Sequence, residues 1–149
     1  MNKILFFLFA LFLGFNATAQ IQNPVKWEYK SKKIADKTYE VIFTAKIDKG
    51  WHLYAQETGE GPVPTSFTFK RNPIVTPQGK TKEKGNLLKE FDKNFGTMLQ
   101  FYADKVEFVQ VVKLKANAKT SVNGEIEFMV CNDEKCLPPR KIPFSIKLS

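Results

Sequence analysis

A period of two constrains this sequence more than any other feature. Tyr39, Val41, Phe43, Ala45 and Ile47 alternate over nine positions, and Val25, Trp27 and Tyr29 do the same before them. Successive side chains on a strand point to opposite faces, so each run reads as a half-buried strand. Phe67 and Phe69 repeat the pattern. Val106, Phe108, Val109, Val111 and Leu114 form a later strand, and Ile126, Phe128 and Val130, and finally Ile142, Phe144, Ile146 and Leu148, alternate again. Asp48-Lys49-Gly50 and Val122-Asn123-Gly124 carry turn chemistry, and the Gly- and Pro-rich residues 59–64 read as a loop. Residues 73–85 hold two prolines, two glycines and several charges, which predicts an exposed loop with at most one short edge strand. Leu87, Leu88, Phe91 and Phe95 fit one face of a short helix or an ordered loop that turns aromatics inward, and both stay open. About eight short strands with little helix predict an all-β fold, an immunoglobulin-like antiparallel β-sandwich. No internal repeat or second domain is visible.

The first residues follow a different rule. Lys3 supplies a positive charge, residues 4–15 are almost wholly apolar, and Ala17-Thr18-Ala19 forms a small-x-small site. That is the layout of a secretory signal peptide, expected over residues 1–19. The apolar run is shorter than the roughly 20 residues needed to span a bilayer, so no stable membrane anchor is expected. Residues 20–149 would form the single mature domain, long enough for one core. The leader carries one Lys and no acid, so the formal charge of +8 becomes +7. The lysines are scattered and are not interleaved with aromatics, which argues against nucleic acid and for a solvated basic surface.

The chain holds two cysteines, Cys131 and Cys136, with four residues between them and a strand on either side. Asn132 and Asp133 are turn formers, so a hairpin would bring the pair to roughly 4.5–5.5 Å between Cα atoms, close enough for a disulfide. Three readings compete. One is a structural staple, but so small a loop stabilises by only about 2.2 kcal/mol on the chain-entropy estimate, against about 4.7 kcal/mol for a loop of about 100 residues. The second is thiol–disulfide exchange, with Lys135, Arg140 and Lys141 favouring a thiolate and Asp133 and Glu134 opposing it. The third is a Cu(I) site drawing on Cys131, Cys136, Met129, Met98 and His52. Structural zinc lacks two further ligands at a suitable spacing, so no metal is assigned. Pro138 and Pro139 have no N–H, so the strand after Cys136 cannot pair normally, leaving that sulfur near an open edge.

The blocks Gly50-Trp-His-Leu-Tyr54, Pro62-Val-Pro-Thr-Ser-Phe67, Asp92-Lys-Asn-Phe-Gly96, Tyr102 and Cys131…Cys136-Leu-Pro-Pro139 stand in the order seen in the N-terminal periplasmic domain of the thiol:disulfide interchange protein DsbD, and the chain resembles that family over nearly its whole mature length. The resemblance implies the same sandwich fold and a redox-active pair that serves as a thiol:disulfide interchange, or protein-disulfide reductase, component without a cofactor. It implies thioredoxin-like periplasmic partners and a membrane electron transporter, with acceptors that include those of cytochrome c biogenesis. Cys136 would form the mixed disulfides and Cys131 would resolve them. A cap loop would shield the pair, here through Phe95 and Asn94. The sequence departs from the family pattern in three places: the cysteine spacing is four, Asn94 stands where an aromatic often does, and His52 replaces an aromatic hydroxyl. His52 reads as a surface imidazole or, with Tyr54, as a neighbour of the cysteines that tunes their thiolates. Phe95 reads equally as a core aromatic. The chain is expected to be a periplasmic monomer working with separate transporter and thioredoxin-like proteins.

Export gives the first test. The mature protein should begin at Gln20 and fractionate with soluble periplasmic material, and N-terminal mass analysis that finds Met1 intact would exclude it.

Overall fold

The computed structural model describes residues 22–148, so the expected signal peptide at residues 1–19 lies outside the described residues. Every regular element among them is a strand: β1 (Val25–Ala35), β2 (Thr38–Ile47), β3 (His52–Tyr54), β4 (Ser66–Phe69), β5 (Val75–Gly85), β6 (Leu88–Asp92), β7 (Thr97–Tyr102), β8 (Lys105–Leu114), β9 (Thr120–Phe128), β10 (Val130–Cys131) and β11 (Arg140–Leu148). They form three antiparallel sheets with strand orders β1-β2-β8-β5, β10-β3-β7-β6 and β11-β9-β4. No helix among them is long and apolar enough to cross a membrane.

The alternating residues of β2 and β8 meet those of β9 and β11 in one large core. Val41, Phe43, Ala45, Val106, Phe108, Val112 and Ile126 are fully buried there. Its centre is aromatic: Phe43 lies 4.8 Å from both Phe67 and Phe144, and Trp27 lies 5.4 Å from Phe128. Offset and edge-on aromatic pairs of this kind add about 0.5–1.5 kcal/mol each beyond area burial. Two-faced alternation is what allows a sandwich to bury these rings while its lysines stay in water.

Three segments differ from the sequence-based expectation. Residues 73–85 are not an exposed loop with a short strand. Val75 to Gly85 form an eleven-residue edge strand paired to β8, with its register broken between Gln78 and Lys82. The buried Gln110 side chain repairs the gap: Nε2 donates to the carbonyls of Gln78 (3.0 Å) and Val111 (2.9 Å), and Oε1 accepts from the Thr81 hydroxyl at 2.8 Å. Leu87 to Phe95 is neither helix nor unpaired loop. It is mostly β6, the first arm of a hairpin in which Leu88 pairs with Phe101 and Asp92 with Thr97. Asn123-Gly124 is not a turn, because β9 runs straight through it with Gly124 opposite both Phe144 and Phe69.

Gly124 is there because nothing larger fits. A Cβ at this position would collide with the Thr68 carbonyl oxygen of the neighbouring strand and with the buried Phe144 ring. Gly124→Ala should therefore destabilise the protein by about 3 kcal/mol, the upper end of ordinary overpacking. Urea titration should show the lower midpoint with an unchanged slope.

Candidate functional site

Strand β3 has two faces. Trp51 and Leu53 enter the large core, whereas Tyr54 enters a second, smaller cluster with Leu99, Phe101 and Cys131. Leu88, Phe95, Met129 and Cys136 pack against the rim of that cluster. The chain reaches it by changing sheets at Met129. Phe128 still pairs with Arg140 in β11, but Val130 and Cys131 pair with Leu53 and His52 of β3. Val130 thus points to the large core and Cys131 to the small one.

Cys131 and Cys136 form a disulfide and a single antiparallel bridge, with Cα atoms 4.0 Å apart. Asn132 folds the intervening loop. Its N–H donates to the Lys135 carbonyl at 2.9 Å, and its Oδ1 accepts from the amides of Glu134 (2.9 Å) and Lys135 (2.8 Å). The Leu137 amide closes the hairpin on the Val130 carbonyl at 3.0 Å. Cys131 is fully buried, Cys136 is half-buried, and Pro138 and Pro139 are exposed. Beyond Leu137, Pro138 and Pro139 lie outside any strand.

Asp92 organises the other side of the site, and the sequence reading did not single it out. Its carboxylate is almost wholly buried. The Tyr54 hydroxyl donates to Oδ2 at 2.6 Å, and the backbone amides of Asn94 and Phe95 donate to Oδ1 at 2.8 and 3.2 Å. Burial alone pushes Asp92 up, but the Tyr54 hydrogen bond, the two amides and His52 outweigh it and hold the carboxyl below its ordinary range. Burial, reinforced by the same carboxylate, drives Tyr54 far above the usual phenol value. His52 Nε2 lies 3.3 Å from both the Tyr54 oxygen and Asp92 Oδ2. Burial lowers the His52 pKa and Asp92 only partly offsets this, so the resting imidazole is neutral. The Tyr54 hydrogen is already given to Asp92, so Nε2 faces two acceptors and carries the ring proton, leaving Nδ1 bare.

The remaining sequence candidates divide. Phe95 packs edge-on to Tyr54 at 5.9 Å and against Gly61, whose φ of 120° and lack of a Cβ let the ring approach. Asn94 is exposed, and its Nδ2 donates to the Asn132 carbonyl at 2.9 Å, tying the β6–β7 turn to the cysteine loop. The proposed copper ligands are not all gathered. Met129 joins the cluster, but Met98 is half exposed on the outer face of β7, and both thiols are tied up in the disulfide. Among the described residues no group of three or more His, Cys, Asp or Glu is placed to hold a metal.

Residues 18–147 match the family model for the thiol:disulfide interchange protein DsbD, N-terminal. The chain belongs to that family. As a DsbD N-terminal domain it also shares its fold with solved structures. The N-terminal domain of Neisseria meningitidis DsbD in the reduced form superposes with a TM-score of 0.55 at 16% identity, covering 83% of this chain and 84% of that one. The N-terminal periplasmic domain of ScsB from Proteus mirabilis gives 0.58 at 16% identity, covering 88% of this chain and 48% of that one. The DsbD N-terminal domain in its complex with the PilB N-terminal domain of N. meningitidis gives 0.51 at 14% identity, over 85% and 87%. No curated protein matches the chain in sequence. The sandwich is thus the immunoglobulin-like one of the DsbD N-terminal domains, and the chain is a thiol:disulfide interchange domain by family.

The buried Asp92 network predicts a pH dependence. A carboxylate whose folded pKa is depressed stabilises the fold above its unfolded pKa, near pH 4, and loses that contribution as pH falls through the folded value. Asp92→Asn should cost about 2 kcal/mol at pH 7 through a broken buried network. The gap to wild type should narrow as pH falls below about 4. Urea unfolding at pH 7 and pH 3 measures both.

Proposed function

We propose that this chain is an exported thiol–disulfide exchange domain that relays electrons between a thioredoxin-like or membrane-bound reductant system and acceptor proteins in the periplasm. One observation carries the reading: a single disulfide joins a fully buried cysteine to a half-buried one, at a sheet edge followed by two exposed prolines that have no N–H to pair. A thiolate from a partner can approach Cys136 but not Cys131. Cys136 then holds the mixed disulfide and Cys131 resolves it. Phe95 and Asn94 shield the pair, His52 and Tyr54 flank it, and no cofactor is needed. Membership of the DsbD N-terminal family supports the chemistry. The complex formed by the N. meningitidis domain with PilB supports a protein partner. Removal of residues 1–19 would deliver the domain to the periplasm as a soluble monomer.

Serine variants test the unequal roles. Cys131→Ser should trap a long-lived mixed disulfide through Cys136 with a thioredoxin-like partner, visible on a non-reducing gel and mapped by mass. Cys136→Ser should trap little or nothing. Equal trapping by both variants, or trapping through Cys131 alone, would overturn the assignment.

A further inference from the structure

Exchange at this pair requires a proton to move at the buried sulfur. Cys131 is enclosed by Tyr54, Leu99 and Phe101. Apolar surroundings disfavour the charged thiolate relative to the neutral thiol. Unaided, Cys131 would be a poor nucleophile as a thiol and a poor leaving group as a thiolate. Three titratable side chains serve this face. Asp92 is held ionised and already accepts three hydrogen bonds, and the Tyr54 hydrogen is committed to Asp92. His52 remains.

His52 stands directly across the ladder from Cys131. Residues paired in this way share a face with Cβ atoms about 5 Å apart. The ring is held by Phe101 at 4.4 Å and by its Nε2 contacts to Asp92 and Tyr54, which leaves Nδ1 as the available base. It also lines a cavity of about 260 Å³ together with Glu90, Lys93, Asn94 and Asp133, an opening through which a proton can reach water.

We propose that His52 is the proton-transfer residue for Cys131; this rests on the exchange reading above and names how the site performs it. In resolution, Cys131 Sγ–H passes its proton to His52 Nδ1 and the thiolate attacks Cys136 Sγ. The bond from Cys136 Sγ to the partner's sulfur breaks, and its electron pair leaves on the partner as a thiolate. The cysteine pair is oxidised by two electrons and the partner is reduced. In the opposite direction a partner thiolate attacks Cys136, and the imidazolium protonates the departing Cys131 sulfur. Asp92 steadies the imidazolium from 3.3 Å. Glu90 and Asp133 face the ring from β6 and the cysteine loop and add to this, while Lys93, 3.7 Å from Asp133, subtracts. Burial keeps the ring neutral at rest, ready to accept.

The reduced protein reacting with 5,5′-dithiobis(2-nitrobenzoate) separates the two sulfurs. The first equivalent of thionitrobenzoate reports attack by Cys136, and the second reports resolution by Cys131. His52→Gln and His52→Phe should keep the first phase within about twofold of wild type and slow the second about tenfold or more at pH 7. The deficit should narrow as pH rises, because hydroxide in the solvent then takes the thiol proton in place of the imidazole. In His52→Ala, added imidazole should restore the second phase. A second phase unchanged in the Gln and Phe variants would overturn the proposal. So would equal slowing of both phases with the wild-type pH profile, which is the mark of a purely structural role. A wild-type protein that releases neither equivalent would instead overturn the exchange reading itself.

Discussion

The site hangs from a ladder two residue pairs long. Val130 and Cys131 leave the β9 sheet and pair with Leu53 and His52; the first pair sends both side chains to the large core, and the second faces the side of the smaller one. Val130 and Leu53 are tied into the large aromatic core, so they cannot turn without opening a cavity that costs several kcal/mol. Because side chains on a strand alternate, fixing them fixes Cys131, His52 and Tyr54 on the opposite face. The cysteine pair is thereby positioned by the large aromatic core, although it sits at a sheet edge.

A buried carboxylate is the second constraint. An ionised Asp92 deprived of water would be costly unless its oxygens were saturated. The Tyr54 hydroxyl and two turn amides saturate them, and in doing so they shape the turn that carries Asn94 and Phe95. Electrostatics and backbone geometry are one arrangement here. The Tyr54 ring meets Cys131 and Phe95, while its hydroxyl meets the charge.

What could be read from the sequence was whatever followed simple alternation. Tyr39 to Ile47, Val106 to Leu114 and the strands flanking the cysteines lie where the sequence places them, because most of their apolar side chains are buried. Strand β6 inverts the rule. Asp92 faces inward and Phe91 faces water, so hydrophobicity pointed away from the true period and the spacing of Leu87, Leu88, Phe91 and Phe95 mimicked a helix. Strand β5 was hidden because Pro77 and a run of lysines are tolerable on an edge and because its irregular register is repaired by Gln110, a residue 31 positions from Gly79. Gly124 imitated a turn, since a local sequence cannot announce that Phe144 will lie over it. The cysteine hairpin was legible because its turn residues are adjacent. Asp92 was not, because its partners come from β3 and from backbone amides that have no letter in the sequence.

The cysteine loop is held by bonds that do not involve sulfur. Asn132 spans it through its amide and side chain, Leu137 ties it to Val130, and Asn94 anchors the Asn132 carbonyl from the neighbouring turn. None of these bonds has a cysteine sulfur as donor or acceptor. Two thiols kept side by side in this way meet at the high effective concentration of an intramolecular pair, so their re-encounter costs little chain entropy and little backbone rearrangement.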